Sequence, residues 1–169
     1  MQNPSPPVTV NRLIQQALIK IGRNLLAFQR IEACLKIVTP YLTPTTGNCT
    51  APPELDVQRL LADKQVLGIL IQRLKDGTKT EDKVAFELYL KGVLDRRNEL
   101  IHHFLCRHDA ALDSKEKCRS VIKYLDEQND FIQPMVALAE GYLRGFSFSL
   151  DLAASQTEGV TGSAVLGEA

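Results

Sequence analysis

An all-α bundle of four or five up-and-down helices is the fold that this chain of 169 residues predicts. Three observations carry that expectation. Apolar residues recur every three or four positions over runs far longer than any strand of a small domain. Clusters of Pro, Gly, Ser, Thr and Asn separate those runs. No pair of alternating apolar segments offers a sheet. The length suits one domain with a self-sufficient core, and a hydrophobic content of 44% is an ordinary globular value. The expected organisation is a flexible N-terminus over residues 1–8, a helical bundle over 9–154 and a disordered tail over 155–169, where small and polar residues dominate.

The first helix is expected from Thr9 to Val38. Its stripe is Ile14, Leu18, Ile21, Leu25, Phe28, Ile31, Leu35 and Val38, with Thr9 or Asn11 as cap. Pro40 and the run Thr43–Asn48 end it, and the loop continues to Pro53. A second helix starts near Pro52–Leu55, because proline is tolerated in a first turn. It shows Val57, Leu60, Leu61, Leu67, Leu70, Ile71 and Leu74 on one side and closes at Gly77, a C-cap signal. A third begins near Thr80, with Glu81 and Asp82 suited to the positive end of the helix dipole. Its stripe is Phe86, Leu90, Val93, Ile101 and Phe104. A fourth runs from a cap at Asp113 or Ser114 to Ala154, through Cys118, Val121, Leu125, Ile132, Met135, Ala139, Tyr142 and Phe146, and Pro134 should kink or split it. Phe146–Leu150 alternates like a strand but has no partner strand, so it reads as continued helix.

The formal charge is zero, which excludes a uniformly basic nucleic-acid coat. The charges are unevenly spread: residues 96–123 carry seven Lys+Arg against four Asp+Glu, and residues 124–169 carry one against seven. The basic segment also holds all three histidines, an arrangement that steers polyanions. Cys34, Cys49, Cys106 and Cys118 show no paired spacing and no signal peptide opens the chain, so reduced thiols and a cytoplasmic setting are expected. No apolar run approaches the ~18–20 residues that span a bilayer, so no membrane association is expected.

The segment Leu94-Asp95-Arg96-Arg97-Asn98-Glu99-Leu100-Ile101-His102-His103-Phe104 concentrates the chemistry. Arg97 takes a slot in the third stripe where a hydrophobe belongs. A guanidinium there must pair with an acid, line a cleft or face another subunit, because unpaired burial is costly. At about 100° per residue, Asn98 lies ~100° and His102 ~140° round from Arg97. That wedge is too wide for one chain to clamp a small atom, so it favours a site completed by a second copy.

Arg97-Asn98-Glu99-Leu100-Ile101-His102 resembles the Arg-x4–6-His motif of HEPN domains, including the polar residue that follows their arginine. The similarity of pattern covers residues 9–150, and its specific part is six or seven residues. HEPN domains are helical bundles, usually dimeric, and many are metal-independent endoribonucleases in toxin–antitoxin and defence systems. The resemblance implies an endoribonuclease with a composite site at a homodimer cleft. His102 would be general acid/base, Arg97 the stabiliser of phosphorane charge and Asn98 the positioner. Those residue types suit the task. Imidazole exchanges protons near neutral pH, and the guanidinium fork matches phosphate oxygens. His103, at Arg97-x5-His, is a second candidate imidazole, and Arg96, His103 and Arg107 are candidate RNA contacts. No cofactor and no metal are implied. RNA, a second copy and an antitoxin or other protein are the expected partners. The family's toxins that are silenced by nucleotidyl transfer carry a tyrosine two residues after the histidine; Phe104 stands there, so that route is closed to this chain.

Blander readings use the same residues. Arg97 can be a scaffold arginine paired with Glu32, Glu87 or Asp95 in a catalytically silent dimerisation or interaction module. A regulator that binds nucleic acid through residues 96–123 lacks a helix-turn-helix signal. His102 and Cys106, four apart, invite zinc, but no further ligands follow at finger spacing.

Overall fold

The computed structural model describes residues 9–42, 56–108 and 112–161, with side chains as far as Asp151. Residues 1–8, residues 43–55 with Cys49, the expected loop and the expected start of the second helix, residues 109–111, and residues 162–169 lie outside that description. Among the described residues every regular element is helical: α1 (Val10–Leu42), α2 (Val57–Ala62), α3 (Leu67–Gly77), α4 (Lys83–Asn98), a π-helical turn (Glu99–His103), α5 (Phe104–His108) and α6 (Lys115–Thr161). The all-α bundle is therefore the architecture. None of these helices is long and apolar enough to cross a membrane.

Direction follows from paired contacts. Asn24 bonds Gln128, Arg30 pairs with Glu140 and Tyr41 stacks near Phe146, so α1 and α6 run parallel. Tyr89 reaches Phe131, Arg96 reaches Gln128 and His108 reaches Tyr124, so α4 and α5 run antiparallel to α6. One core joins them, with Phe28, Ile31, Leu35, Leu70, Leu74, Leu90, Val93, Leu125, Ile132 and Met135 all buried.

Several boundaries differ from expectation for definable reasons. α1 continues past Pro40 to Leu42, because a proline near a helix end removes one amide bond and little follows it to be disrupted. The expected second helix is two helices. Asp63 turns the chain by accepting the Gln65 amide at 3.2 Å, a local alternative to the helical ladder. Only α3 buries its stripe; α2 buries nothing, and Val57 and Leu61 are exposed. Gly77 is not a left-handed cap but the last residue of α3. A β-carbon there would stand 2.8 Å from the Leu42 carbonyl oxygen, so glycine permits close approach of α3 to the end of α1. Asp82 is the N-cap of α4 and lies outside its first turn; its carboxylate accepts the Ala85 amide at 2.9 Å.

Pro134 does not split α6. Ile132, Met135 and Val136 are buried on either side, and the Tyr89 hydroxyl donates to the Phe131 carbonyl at 3.2 Å in the turn that the proline weakens. Such anchoring offsets a cost of about 3 kcal/mol for an interior proline. Beyond Phe146 the chain continues as helix, as expected, and α6 extends to Thr161 within the segment assigned from composition to a tail.

The first half of α1 is rotated from the expected stripe. Leu13, Ala17 and Asn24 are buried, whereas Leu18 is 58% exposed. An asparagine displaces the leucines because it is hydrogen-bonded inside: its amide donates to the Leu125 carbonyl at 2.8 Å and to Gln128 Oε1 at 2.9 Å.

Candidate active site

The candidate residues sit where one helix changes its winding. α4 holds regular hydrogen bonding to Asn98, the next turn to His103 is π-helical, and α5 resumes the α form at Phe104 without a break in the chain. At the switch the Glu99 amide is shared between the Asp95 and Arg96 carbonyls. π turns are rare and concentrate at functional sites, because the extra residue per turn re-aims side chains.

Here the consequence is specific. In an α-helix His102 would lie ~140° round from Arg97. A π turn advances only about 80° per residue, which narrows that angle to roughly 60°. Arg97 Nη1 accordingly lies 3.4 Å from His102 Nε2 and 3.2 Å from Asn98 Oδ1. The wedge expected to be too wide for one chain is closed within one chain. A guanidinium only donates, so this contact is a hydrogen bond only in the His102 form that accepts at Nε2 and carries its proton on Nδ1. Among the described residues Arg97 forms no ion pair. Glu32, Glu87 and Asp95, the acids considered as its scaffold partners, pair instead with Lys36, Lys83 and Lys91.

The buried side of this helix also departs from the reading. Leu100 takes the core position and is 7% exposed, while Ile101 is 42% exposed. Seven residues after Val93, Leu100 lies within about 20° of it, whereas Ile101 lies ~80° away. Ile101 and Leu105 are thus apolar surface beside the imidazole, and Phe104 is buried.

The remaining candidates are divided by their partners. Arg96 is anchored: its guanidinium carbon stands 3.5 Å from the Phe131 ring centroid and its Nη1 donates to the Gly92 carbonyl at 3.4 Å. Arg107 pairs with Glu99 at 2.7 Å. His103 is exposed, with its ring centroid 6.2 Å from that of His102. His108 lies between Phe104 and Tyr124, 4.9 and 5.0 Å from their ring centroids. Cys106 is exposed, Cys34 and Cys118 are buried, and among the described residues no group of three or more His, Cys, Asp or Glu is placed to hold a metal ion.

Behind the site lies a polar strut that the stripe reading missed. Gln128, 2% exposed, accepts from Asn24 on α1 and donates to the Arg96 carbonyl at 3.2 Å and the Tyr124 hydroxyl at 3.4 Å. Tyr124 is pushed up to about 12, first by burial and then by the negative charge of Glu99 beside it. The signal was available: positions 24 and 128 fall where their apolar stripes would continue at three- and four-residue spacing, and each holds an amide. Compared with known protein families, curated proteins and solved structures, the chain matches none.

Proposed function

We propose that this protein is a HEPN-like endoribonuclease that needs no metal, acts in the cytoplasm and serves as a toxin or defence effector. Its half-site is Arg97, Asn98 and His102. The observation that carries the reading is the Arg97–His102 contact itself: a cation with no acidic partner among the described residues, held against an imidazole at the surface. A phosphodiester is a better acceptor than a ring nitrogen and draws the guanidinium onto its oxygens. That frees Nε2 to take the proton of the ribose 2′-hydroxyl. The O2′–P bond then forms and the P–O5′ bond breaks, with a proton delivered to the leaving oxygen. In a homodimer the second copy's imidazole supplies that proton, and the exposed Ile101 and Leu105 are the apolar surface that such a dimer would cover.

The test is purified protein on RNA in the presence of a chelator. Fragments ending in 2′,3′-cyclic phosphate are expected from the wild type and none from folded Arg97→Ala or His102→Ala. An inactive wild type removes the proposal. In that event the second reading gains, a silent interaction module. It is favoured by the outward Leu18, Ile19 and Leu26 on α1, which are 58%, 71% and 65% exposed.

A further inference from the structure

We infer that Gln128, although it lies on α6 and touches neither candidate catalytic group, is the positioning residue of the Arg97/His102 pair. Its role in catalysis rests on the endoribonuclease reading; its control of where the imidazole points does not.

In an unbroken α-helix each carbonyl accepts the amide four residues on. Where α4 gives way to the π turn that ladder is re-partnered: the Arg96 carbonyl takes only a share of the Glu99 amide, which leaves a lone pair for a donor from outside the helix. Gln128 Nε2 provides one to Arg96, at 3.2 Å, one residue before the guanidinium of the site. A donor inserted at this point favours the π form, because return to the α ladder would bring the helix's own amide to the same carbonyl.

Gln128 has little freedom to do otherwise. Its Oε1 is held by Asn24 at 2.9 Å, its second amide hydrogen is directed to Tyr124 at 3.4 Å, and the side chain is buried. Asn24 is fixed in turn: both its amide hydrogens are used, on Leu125 and Gln128, and its Oδ1 accepts from Arg23 at 3.3 Å. The strut thus crosses from α1 through α6 to the winding switch on α4. Amides at two otherwise apolar core positions are expensive to bury and easily replaced by hydrophobes. A winding device accounts for both, since without the π turn His102 would swing tens of degrees away from Arg97.

The experiment uses the full chain and reads the tautomer of His102 by imidazole ¹⁵N spectroscopy at neutral pH, beside thermal melting and RNA cleavage. The wild-type ring is expected in the Nδ1–H form imposed by the Arg97 donor. Gln128→Met, of similar volume but without a donor, is expected to return His102 to the Nε2–H form that free histidine favours. Cleavage should fall about 100-fold in kcat with KM nearly unchanged, as for a misplaced catalytic group. Should Gln128→Met not fold, Asn24→Leu/Gln128→Met removes both ends of the strut together, so no amide is orphaned, and the same spectra are read. A folded variant whose His102 keeps the wild-type tautomer overturns the inference, as does a wild type that shows the Nε2–H form. If the wild type cleaves no RNA, the endoribonuclease reading falls, and the tautomer comparison still decides the role of Gln128.

Discussion

Arg97→Ala separates a site arginine from a scaffold arginine by stability alone. In the folded chain its partners are one amide oxygen at 3.2 Å and one ring nitrogen at 3.4 Å, both on its own helix. Two such bonds, long and partly solvated, belong at the low end of the ~0.5–1.5 kcal/mol range for net hydrogen-bond contributions. Among the described residues no carboxylate pairs with Arg97, and Glu32, Glu87 and Asp95 each have a lysine partner. The expected cost is therefore about 1 kcal/mol. For a domain of this size that lowers the melting temperature by ~2–4 °C. Had Arg97 neutralised a buried acid, its removal would cost about 3–5 kcal/mol, which lowers the melting temperature by roughly 6–20 °C. Differential scanning calorimetry at neutral pH decides between these values. A depression of ten degrees would refute the assignment of Arg97 to a site.

Other perturbations follow from the packing and the electrostatics. Gly77→Ala should destabilise by about 1–3 kcal/mol in urea titration, since its new methyl meets the Leu42 backbone. Gly68→Ala, whose methyl would meet only the Leu94 side chain at 3.8 Å, should be neutral or stabilising by up to about 1 kcal/mol. Because the folded Tyr124 hydroxyl titrates at about 12, above its ordinary value, it contributes stability that is complete below pH ~10. That contribution is lost as pH rises through about 12. Tyr124→Phe should flatten this alkaline loss in pH-dependent melts and remove the highest step in the phenolate absorbance titration. Asp126 is held below the usual carboxylate range, first by its bond from Lys20 and then by Arg23. Its contribution is present above pH ~4 and fades as pH falls through the folded value. Asp126→Asn should therefore reduce the slope of acid denaturation, and added salt should mimic that change.

The fold was readable where one kind of force decides. The second half of α1 and most of α6 follow their three- and four-residue stripes, and Phe28, Ile31, Leu35, Val121, Leu125 and Ile132 are buried as spacing requires. The reading weakened where hydrogen bonds compete with burial. Asn24 turns the first half of α1 because its amide is satisfied by α6; spacing marks an amide at a stripe position but not the partner that satisfies it. Asp63 divides the second helix through a local turn that costs one side-chain bond. Pro40 and Pro134 are strong stop signals taken alone, yet tertiary packing overrides the second and position disarms the first. The site was legible in composition but not in shape. Arg97, Asn98 and His102 stand out as polar groups in and beside an apolar stripe, and the structure brings all three together. Their spacing gave the wrong angle because it assumed uniform winding. The π turn depends on Gln128, thirty residues further along the chain, so no local rule could supply it.

On the proposed reading, the π-helical winding at Glu99–His103 makes one anion site out of two residues five apart. Titrating the wild-type chain with inorganic phosphate, while following the Arg97 guanidinium and His102 imidazole resonances together, tests it most directly. Both sets should move along one binding curve, and both responses should vanish in Arg97→Ala. Independent curves, or a His102 response that survives the loss of Arg97, would contradict the account.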